Sequence, residues 1–261
     1  MTFYLGAPEP NWLSIFDDRP LFVSHTRLRR RRDASSYPLS PRGGAWVLDS
    51  GAYDLITQHG RHLDTPEQYV RAVRAYAVRI GNLQWAAPQD WPTELAARRR
   101  SGATVAEHCE RSVQSYLDVI GWWGRLAPDR ACPFRPVVQG DQVVDYLRCW
   151  DLFERRGVDL TRVELIAVGS VCTRERSPEI AAVVAALRER TSARLHGFGV
   201  KAEAMALFDD VDSMAWSQTA RKQHLKHPVC TQFHPVCTSC PEYATWWHDR
   251  MITRHTKAIA A

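Results

Sequence analysis

Short β-type runs alternate with longer stretches of helical periodicity along almost the whole chain, and this alternation limits the fold more than any other feature. Phe3-Tyr4-Leu5, Leu21-Phe22-Val23, Trp46-Val47-Leu48, Leu83-Gln84-Trp85, Phe134 to Val138, Val163 to Val168, Arg194 to Phe198 and Val211-Asp212 each predict a strand. Pro66 to Ile80, Thr104 to Gly124, Asp141 to Arg156, Pro178 to Arg190 and Lys201 to Phe208 place apolar residues at helical spacing, several behind a Thr, Ser or Asp cap. Strand and helix in alternation mean a parallel sheet with helical crossovers. Eight strands in about 215 residues predict an α/β fold of the (β/α)8 TIM type, although a doubly wound open sheet would give the same pattern over six of them. At 261 residues the chain suits one barrel with appendages better than two equal domains.

Composition removes the non-globular classes. With 45 % hydrophobic and 24 % charged residues the chain can build a real core, which excludes a disordered, collagen-like or disulfide-scaffold protein. No apolar run approaches the roughly 18 residues of a membrane span, and Met1 to Pro10 lacks a charged segment leading into an apolar one, so a cytoplasmic protein without a membrane partner is expected. The net charge of +5 matters less than its placement. Arg27 to Arg42 holds six arginines against Asp33 alone, and Ala220 to the end holds six Lys/Arg against two acids. One such run is an ordinary solvated face; two in one chain favour a polyanion such as nucleic acid, with Arg29, Arg30, Arg31, Arg32, Arg221 and Lys222 as the contacts. Residues 27–44, rich in Arg, Ser and Pro and without periodicity, read as a basic loop.

The segments that leave the strand ends carry the most informative local signal. Leu48 runs into Asp49-Ser50-Gly51, Trp85 into Ala86-Ala87-Pro88-Gln89-Asp90, Val138 into Gln139-Gly140-Asp141, Val168 into Gly169-Ser170, His196 into Gly197-Phe198-Gly199, and Val211 into Asp212-Ser213. In a barrel these segments converge on the C-terminal rim, where active sites are built. Carboxylates and a carboxamide can bond a base edge, and glycine lets the backbone approach a flat ring. Any one Asp is more often a cap or turn residue, and Asp141, at the head of a helix, is expected only to cap it.

Several of these segments match a known family in order and spacing. Leu48-Asp49-Ser50-Gly51-Ala52-Tyr53 resembles the Asp-Ser-Gly motif of the tRNA-guanine transglycosylases, Pro136-Val137-Val138-Gln139-Gly140 their Val-Gln-Gly, and Ala167-Val168-Gly169-Ser170 their glycine-containing base-contact loop. Leu195-His196-Gly197-Phe198-Gly199 is similar to the archaeal Leu-His-Leu-Phe-Gly, and Val211-Asp212-Ser213 with the downstream Arg221 to Phe-Asp-Ser with its Arg. The likeness covers about residues 45 to 245. Within that superfamily the chain most resembles the DpdA group, which inserts 7-deazaguanine bases into DNA. Its short length, its compact cysteine pattern and the lack of a segment resembling an RNA-binding PUA domain after the cysteines support that placement.

The cysteines divide into two sets. Cys109, Cys132, Cys149 and Cys172 are scattered and read as small buried apolar residues. Cys230, Cys237 and Cys240 lie within eleven residues and include a Cys-x-x-Cys turn, which suits a tetrahedral structural zinc ion needing one further ligand. His234 inside the loop and His248 on the following helix both qualify; His234 is favoured because the loop then closes the site alone. The tRNA enzymes instead use Cys-x-Cys-x-x-Cys and a distant His. The expected division is a catalytic barrel over residues 1–222 and a zinc-binding loop with a C-terminal helix over 223–261.

The resemblance implies base exchange by double displacement. Asp212 would attack C1′ and form a covalent glycosyl-enzyme, and Asp49 would serve as general acid and base. Asp90, Gln139 and Gly169 would hold the purine edge, with Gly140, His196 and Gly199 as further substrate-binding positions. The partners implied are DNA, with tRNA as the alternative, and a 7-deazaguanine base, with room for a helper protein. Trp216, beside Asp212, is the tryptophan to consider for base stacking. Two competing readings are a non-catalytic nucleic-acid-binding barrel and a barrel hydrolase using its carboxylates for a catalytic metal.

Overall fold

The computed structural model of the protein describes residues 1–29, 41–172 and 177–260. All eight expected strands form: β1 (Thr2–Ala7), β2 (Leu21–Ser24), β3 (Trp46–Asp49), β4 (Leu83–Ala86), β5 (Val137–Val138), β6 (Leu165–Val168), β7 (Arg194–Gly197) and β8 (Asp210–Ser213). They make one parallel sheet in the order β4-β3-β2-β1-β8-β7-β6-β5. The sheet curls until its edges approach. Ala86, at the end of β4, bridges Phe134 just before β5, with the Ala86 amide on the Pro133 carbonyl at 2.9 Å and the Arg135 amide on the Ala86 carbonyl at 3.2 Å.

Helices alternate with the strands: α1 (Trp12–Ile15), α2 (His25–Arg29), α3 (Ala52–His59), α4 (Pro66–Arg79), α5 (Leu95–Ser101), α6 (Val105–Leu126), α7 (Val143–Arg155), α8 (Ser177–Arg188), α9 (Ala215–Gln223) and α10 (Pro241–Ala260). The two longest crossover helices start where the sequence sets a capping box. Thr65 accepts from the Gln68 amide at 3.2 Å and Gln68 reaches back to the Thr65 amide at 2.9 Å; Thr104 and Glu107 do the same at 3.2 and 2.7 Å. Two expectations shift. Asp141 does not cap α7: Gln142 is the cap residue, because the Asp145 carboxylate already takes the Asp141 and Gln142 amides at 3.3 and 2.8 Å. The segment expected as a helix over Lys201 to Phe208 is a 3-10 helix over Ala202–Leu207, a tighter connection suited to the short span between β7 and β8.

The period of two along each strand sorts its residues onto two faces. Phe3, Leu5, Leu21, Val23, Trp46, Leu48, Val138, Ile166, Val168, Leu195 and Val211 face the helices and join the larger buried cluster. Tyr4, Phe22, Val47, Trp85, Val137, Leu165 and Ala167 form a second, separate cluster inside the curl of the sheet. Continuing those inward rows by two residues toward the strand C-termini reaches Ser24, Asp49, Gln139, Gly169 and, on β8, Asp212. The inner rows that fill the sheet's interior therefore end in polar side chains on one rim.

The C-terminal segment packs into the larger cluster, to which Cys230, Cys237, Cys240, Tyr243, Ala244 and Met251 belong. α10 is fastened to β1 by His248, whose Nε2 lies 2.9 Å from the Phe3 carbonyl and whose ring stacks on Phe3 at 4.8 Å. Among the described residues no helix is long and apolar enough to cross a membrane.

Candidate active site and metal centre

Asp212 ends the inward row of β8, buried at 5 % exposure. Its Oδ1 accepts from the Gly199 amide at 3.0 Å and lies 3.2 Å from His196 Nε2. A carboxylate only accepts, so the ring nitrogen facing it is the protonated one when the imidazole is neutral. Both partners come from the β7 end. Gly199 holds φ at +59°, and a Cβ there would stand 2.8 Å from Cys172, so the turn that aims its amide requires glycine. His196 is fully buried between Phe22, stacked at 5.6 Å, and the Trp85 and Phe198 rings at 4.8 and 5.1 Å. His196 and Gly199, expected at the substrate, both bond Asp212, and His196 Nδ1 has no hydrogen-bond partner among the described residues.

Asp49 ends the inward row of β3, beside Ser24 in the register of β2. Part of its surface stays open. Burial, and then the neighbouring Asp90 charge, push its carboxyl up to about 7; Asp212 adds to the rise, while the Gly51 amide and Ser24 hydroxyl oppose it. Asp90, on the loop after β4, is pushed up by burial to about 6, against bonds from Ser50 and Gln139. The three carboxylates the sequence singled out therefore sense one another across the rim.

A polar chain continues from Asp90. Ser50 Oγ donates to its Oδ1 at 3.1 Å and Gln139 Nε2 to its Oδ2 at 2.6 Å. Gln139 Oε1 lies 2.7 Å from Ser170 Oγ, which is also 2.7 Å from Glu94 Oε2. The backbone of Gln139 is bracketed by two thiols, Cys109 Sγ on its carbonyl at 3.2 Å and Cys149 Sγ facing its amide at 3.4 Å. A Cβ at 169 would overlap the Gln139 carboxamide and force it to shift, and glycine is required at 140, where a Cβ would meet the Tyr146 backbone amide at 2.7 Å. Beside this chain opens a cavity of about 360 Å³ lined by Thr93, Glu94, Arg98, Asp141, Gln142 and Ser170 among others. Ser50, Ser170 and Glu94 were not singled out from sequence. The two serines lie just beyond marked strand ends; Glu94, eight residues beyond β4, has no local signal.

Cys230, His234, Cys237 and Cys240 bring four ligand atoms within 4.8 Å of one another. Cys230 Sγ is 3.2 Å from His234 Nε2 and 3.3 Å from Cys240 Sγ, separations that suit a small tetrahedral ion. Burial pushes the Cys240 thiol up to about 12, whereas at Cys230 burial is overcome by the hydrogen bonds of Lys226, 3.1 Å from its Sγ, of Cys240 and of the Gln232 backbone, which together lower the thiol. Three thiols and an imidazole this close fit a zinc-type cation. His248, the alternative fourth ligand, is instead engaged with β1. Of the other cysteines, Cys109 and Cys149 are buried as expected, while Cys132 and Cys172 keep partial exposure.

The basic residues divide differently from expectation. Arg30, Arg31 and Arg32 lie outside the described residues. Arg29 Nε sits 2.8 Å from Asp64, which also takes His25 at 2.9 Å, so its charge is already paired. Arg42 is a core residue at 3 % exposure, donating to the carbonyls of Leu13, Phe16, Arg19 and Gly44. Arg221 and Lys222 are exposed in the last turn of α9. Trp216 is fully buried, stacked on Trp12 at 5.2 Å, and is closed to any base.

No curated protein matches this sequence. A family model described as DpdA, DeoxyPurine in DNA protein A, matches residues 1–261. The chain belongs to the DpdA family, a tRNA-guanine transglycosylase-like family whose members' name points to purine modification in DNA.

Proposed function

We propose that the protein exchanges guanine in DNA for a 7-deazaguanine base, such as 7-cyano-7-deazaguanine, through a covalent intermediate on Asp212. The observation that supports this reading best is the contrast between two carboxylates on one rim. Asp212 has Oδ1 held by two donors, while its Oδ2 accepts no hydrogen bond among the described residues. Asp49 sits near half-protonation at neutral pH, as an acid and base in one cycle must.

In the first step Asp212 Oδ2 bonds to C1′ of the target nucleotide as the C1′–N9 bond breaks. The bonding pair leaves with the purine, which takes a proton from Asp49. In the second step the ionised Asp49 removes the proton from N9 of the incoming base. That nitrogen then bonds to C1′ and the C1′–Asp212 bond breaks, giving net retention after two inversions. The chain Asp90–Gln139–Ser170 supplies acceptors and donors for the purine edge beside Gly169 and Gly140. Since a duplex hides C1′, the target nucleotide is extruded or single-stranded, with Arg221 and Lys222 among its phosphate contacts. A zinc ion bound by Cys230, His234, Cys237 and Cys240 would be structural, since protein fills all four positions.

The test is nucleoside mass spectrometry of DNA and tRNA from cells expressing the wild type or Asp212→Asn with a deazaguanine supply. The expected result is a deazaguanine deoxynucleoside with the wild type and none with Asp212→Asn. The modified base in tRNA alone, or wild-type levels with Asp212→Asn, overturns the reading.

A further inference from the structure

Phe233 is the most exposed large apolar side chain among the described residues, at 108 % of an extended reference. A phenyl ring held in water forgoes the favourable burial that its area would give, and a surface ring is usually tolerated where the backbone is free to move. Here the backbone is held. Cys230 and His234, on either side of the ring, converge to 3.2 Å. Between them Thr231 donates twice to Glu242 at 2.5 Å, from its amide and from its hydroxyl, and Gln232 donates to the same carboxylate at 3.1 Å. Lys226 Nζ closes the loop from below by donating to the Gln232 carbonyl, which also accepts the His234 amide. The loop is fastened at every residue around Phe233 while the ring itself touches little, which is the arrangement of a pre-organised contact.

Charge identifies what it contacts. From Ser213 to Pro241 the sequence holds no Asp or Glu, but it holds Arg221, Lys222 and Lys226 together with His224, His227 and His234. Arg221, Lys222 and His224 are exposed, at the end of the helix that leads into this loop. The nearest acid, Glu242, has its carboxylate taken up by Thr231 and Gln232 and faces the Lys226 charge, so a fixed aromatic ring on this basic segment suits a polyanion that also offers flat faces. We propose that Phe233 is a nucleic-acid contact of this protein: its ring stacks on, or wedges beside, a base of the substrate strand while the neighbouring cations take the phosphates. The proposal rests on the nucleic-acid reading above and adds a contact outside the rim of the sheet.

The experiment uses the full chain and a fluorescent single-stranded oligodeoxynucleotide and its duplex, titrated at several salt concentrations. Phe233→Ala should weaken binding by about five- to a hundredfold, the range found for loss of one base stack, without changing the slope of log K against log salt. Arg221→Ala with Lys222→Ala should lower that slope. Phe233→Trp should restore binding, with the fluorescence of the introduced indole quenched on adding DNA. Because the ring packs against almost nothing, metal content and melting temperature should stay at wild-type values in both Phe233 variants. Wild-type affinity in Phe233→Ala, or no quenching in Phe233→Trp, overturns the proposal and leaves the functional reading intact. A Phe233→Ala chain that loses self-association in sedimentation overturns it too, in favour of a second copy on this surface. A wild-type chain that binds neither oligonucleotide refutes the nucleic-acid reading itself.

Discussion

Replacing Asp49 with asparagine should abolish base exchange and yet make the protein more stable at pH 8. The folded-state carboxyl stands at about 7 against an ordinary 3.8. Between those values the folded chain holds a proton that the unfolded chain has released, so stability falls as pH rises from about 4 to 7. Above the folded value the full cost applies. A difference of about 3.2 units at 1.36 kcal/mol each is about 4 kcal/mol for a carboxylate closed to water. Asp49 keeps part of its surface open, and screening there reduces the expected gain to about 2 kcal/mol. Asparagine keeps an oxygen for the Gly51 amide and the Ser24 hydroxyl but has no charge to desolvate. Urea unfolding of wild type and Asp49→Asn at pH 4.5 and pH 8 reads the effect directly as a difference in midpoint at constant slope. The variant's advantage at the lower pH, where the unfolded carboxyl is already mostly ionised, should be only about a quarter of that at the higher. An advantage equal at both pH values, or a variant less stable at pH 8, would refute the assignment of the strain to the Asp49 charge.

The hydrogen bond from His196 predicts that His196→Gln, which can present an N–H near the same place, keeps more exchange activity than His196→Phe, which keeps the ring but no donor; the loss should fall on kcat and spare KM for guanine. Packing alone would give the reverse order in both stability and rate. Gly169→Ala forces the buried Gln139 carboxamide away from its 2.6 Å bond to Asp90, so KM for the base should rise at least tenfold and stability fall by about 2–4 kcal/mol, measured by kinetics and urea unfolding. If the cluster holds zinc, Cys237→Ala should remove it, read by metal analysis, and lower the melting temperature by several degrees, since this thiol is one of the four atoms placed to hold an ion and part of the main core.

The parts of this molecule that could be read from sequence are those with a short period. Strand alternation and the Thr65 and Thr104 caps depend on residues two to four apart, and the corresponding elements appear with shifts of only a few residues. The polar strand ends were legible for the same reason: Asp49 and Asp212 each lie two residues beyond an inward-facing position, so the period that fills the interior also delivers them to the rim. The connections were less legible. α3, α5 and α9 are short, and Gly51 or Met214 at their starts gives no side-chain cap to recognise.

Roles were harder to read than places, because a polar side chain's partner is set by folding and not by its neighbours in sequence. His196 stands one residue before the end of β7, in register with Asp210 of β8, and its ring reaches Asp212 while packing among Phe22, Trp85 and Phe198. Arg42 belongs to a basic run, but its guanidinium donates to the carbonyls of Leu13, Phe16, Arg19 and Gly44, four acceptors against the three N–H groups of a lysine ammonium. Trp216 lies four residues from Asp212 on the chain, yet its Nε1 reaches the Gly6 carbonyl and its ring meets Trp12, because α9 turns back along the outside of the sheet as soon as β8 ends. In each case the residue type stated which interactions were possible, and a contact more than a dozen residues away chose among them. On the proposed mechanism the two carboxylates divide the work because they are held from different directions. Asp212 is fixed by donors from the β7 end, which would aim it for attack, and Asp49 is crowded by burial and by Asp90, which would leave it ready to carry a proton.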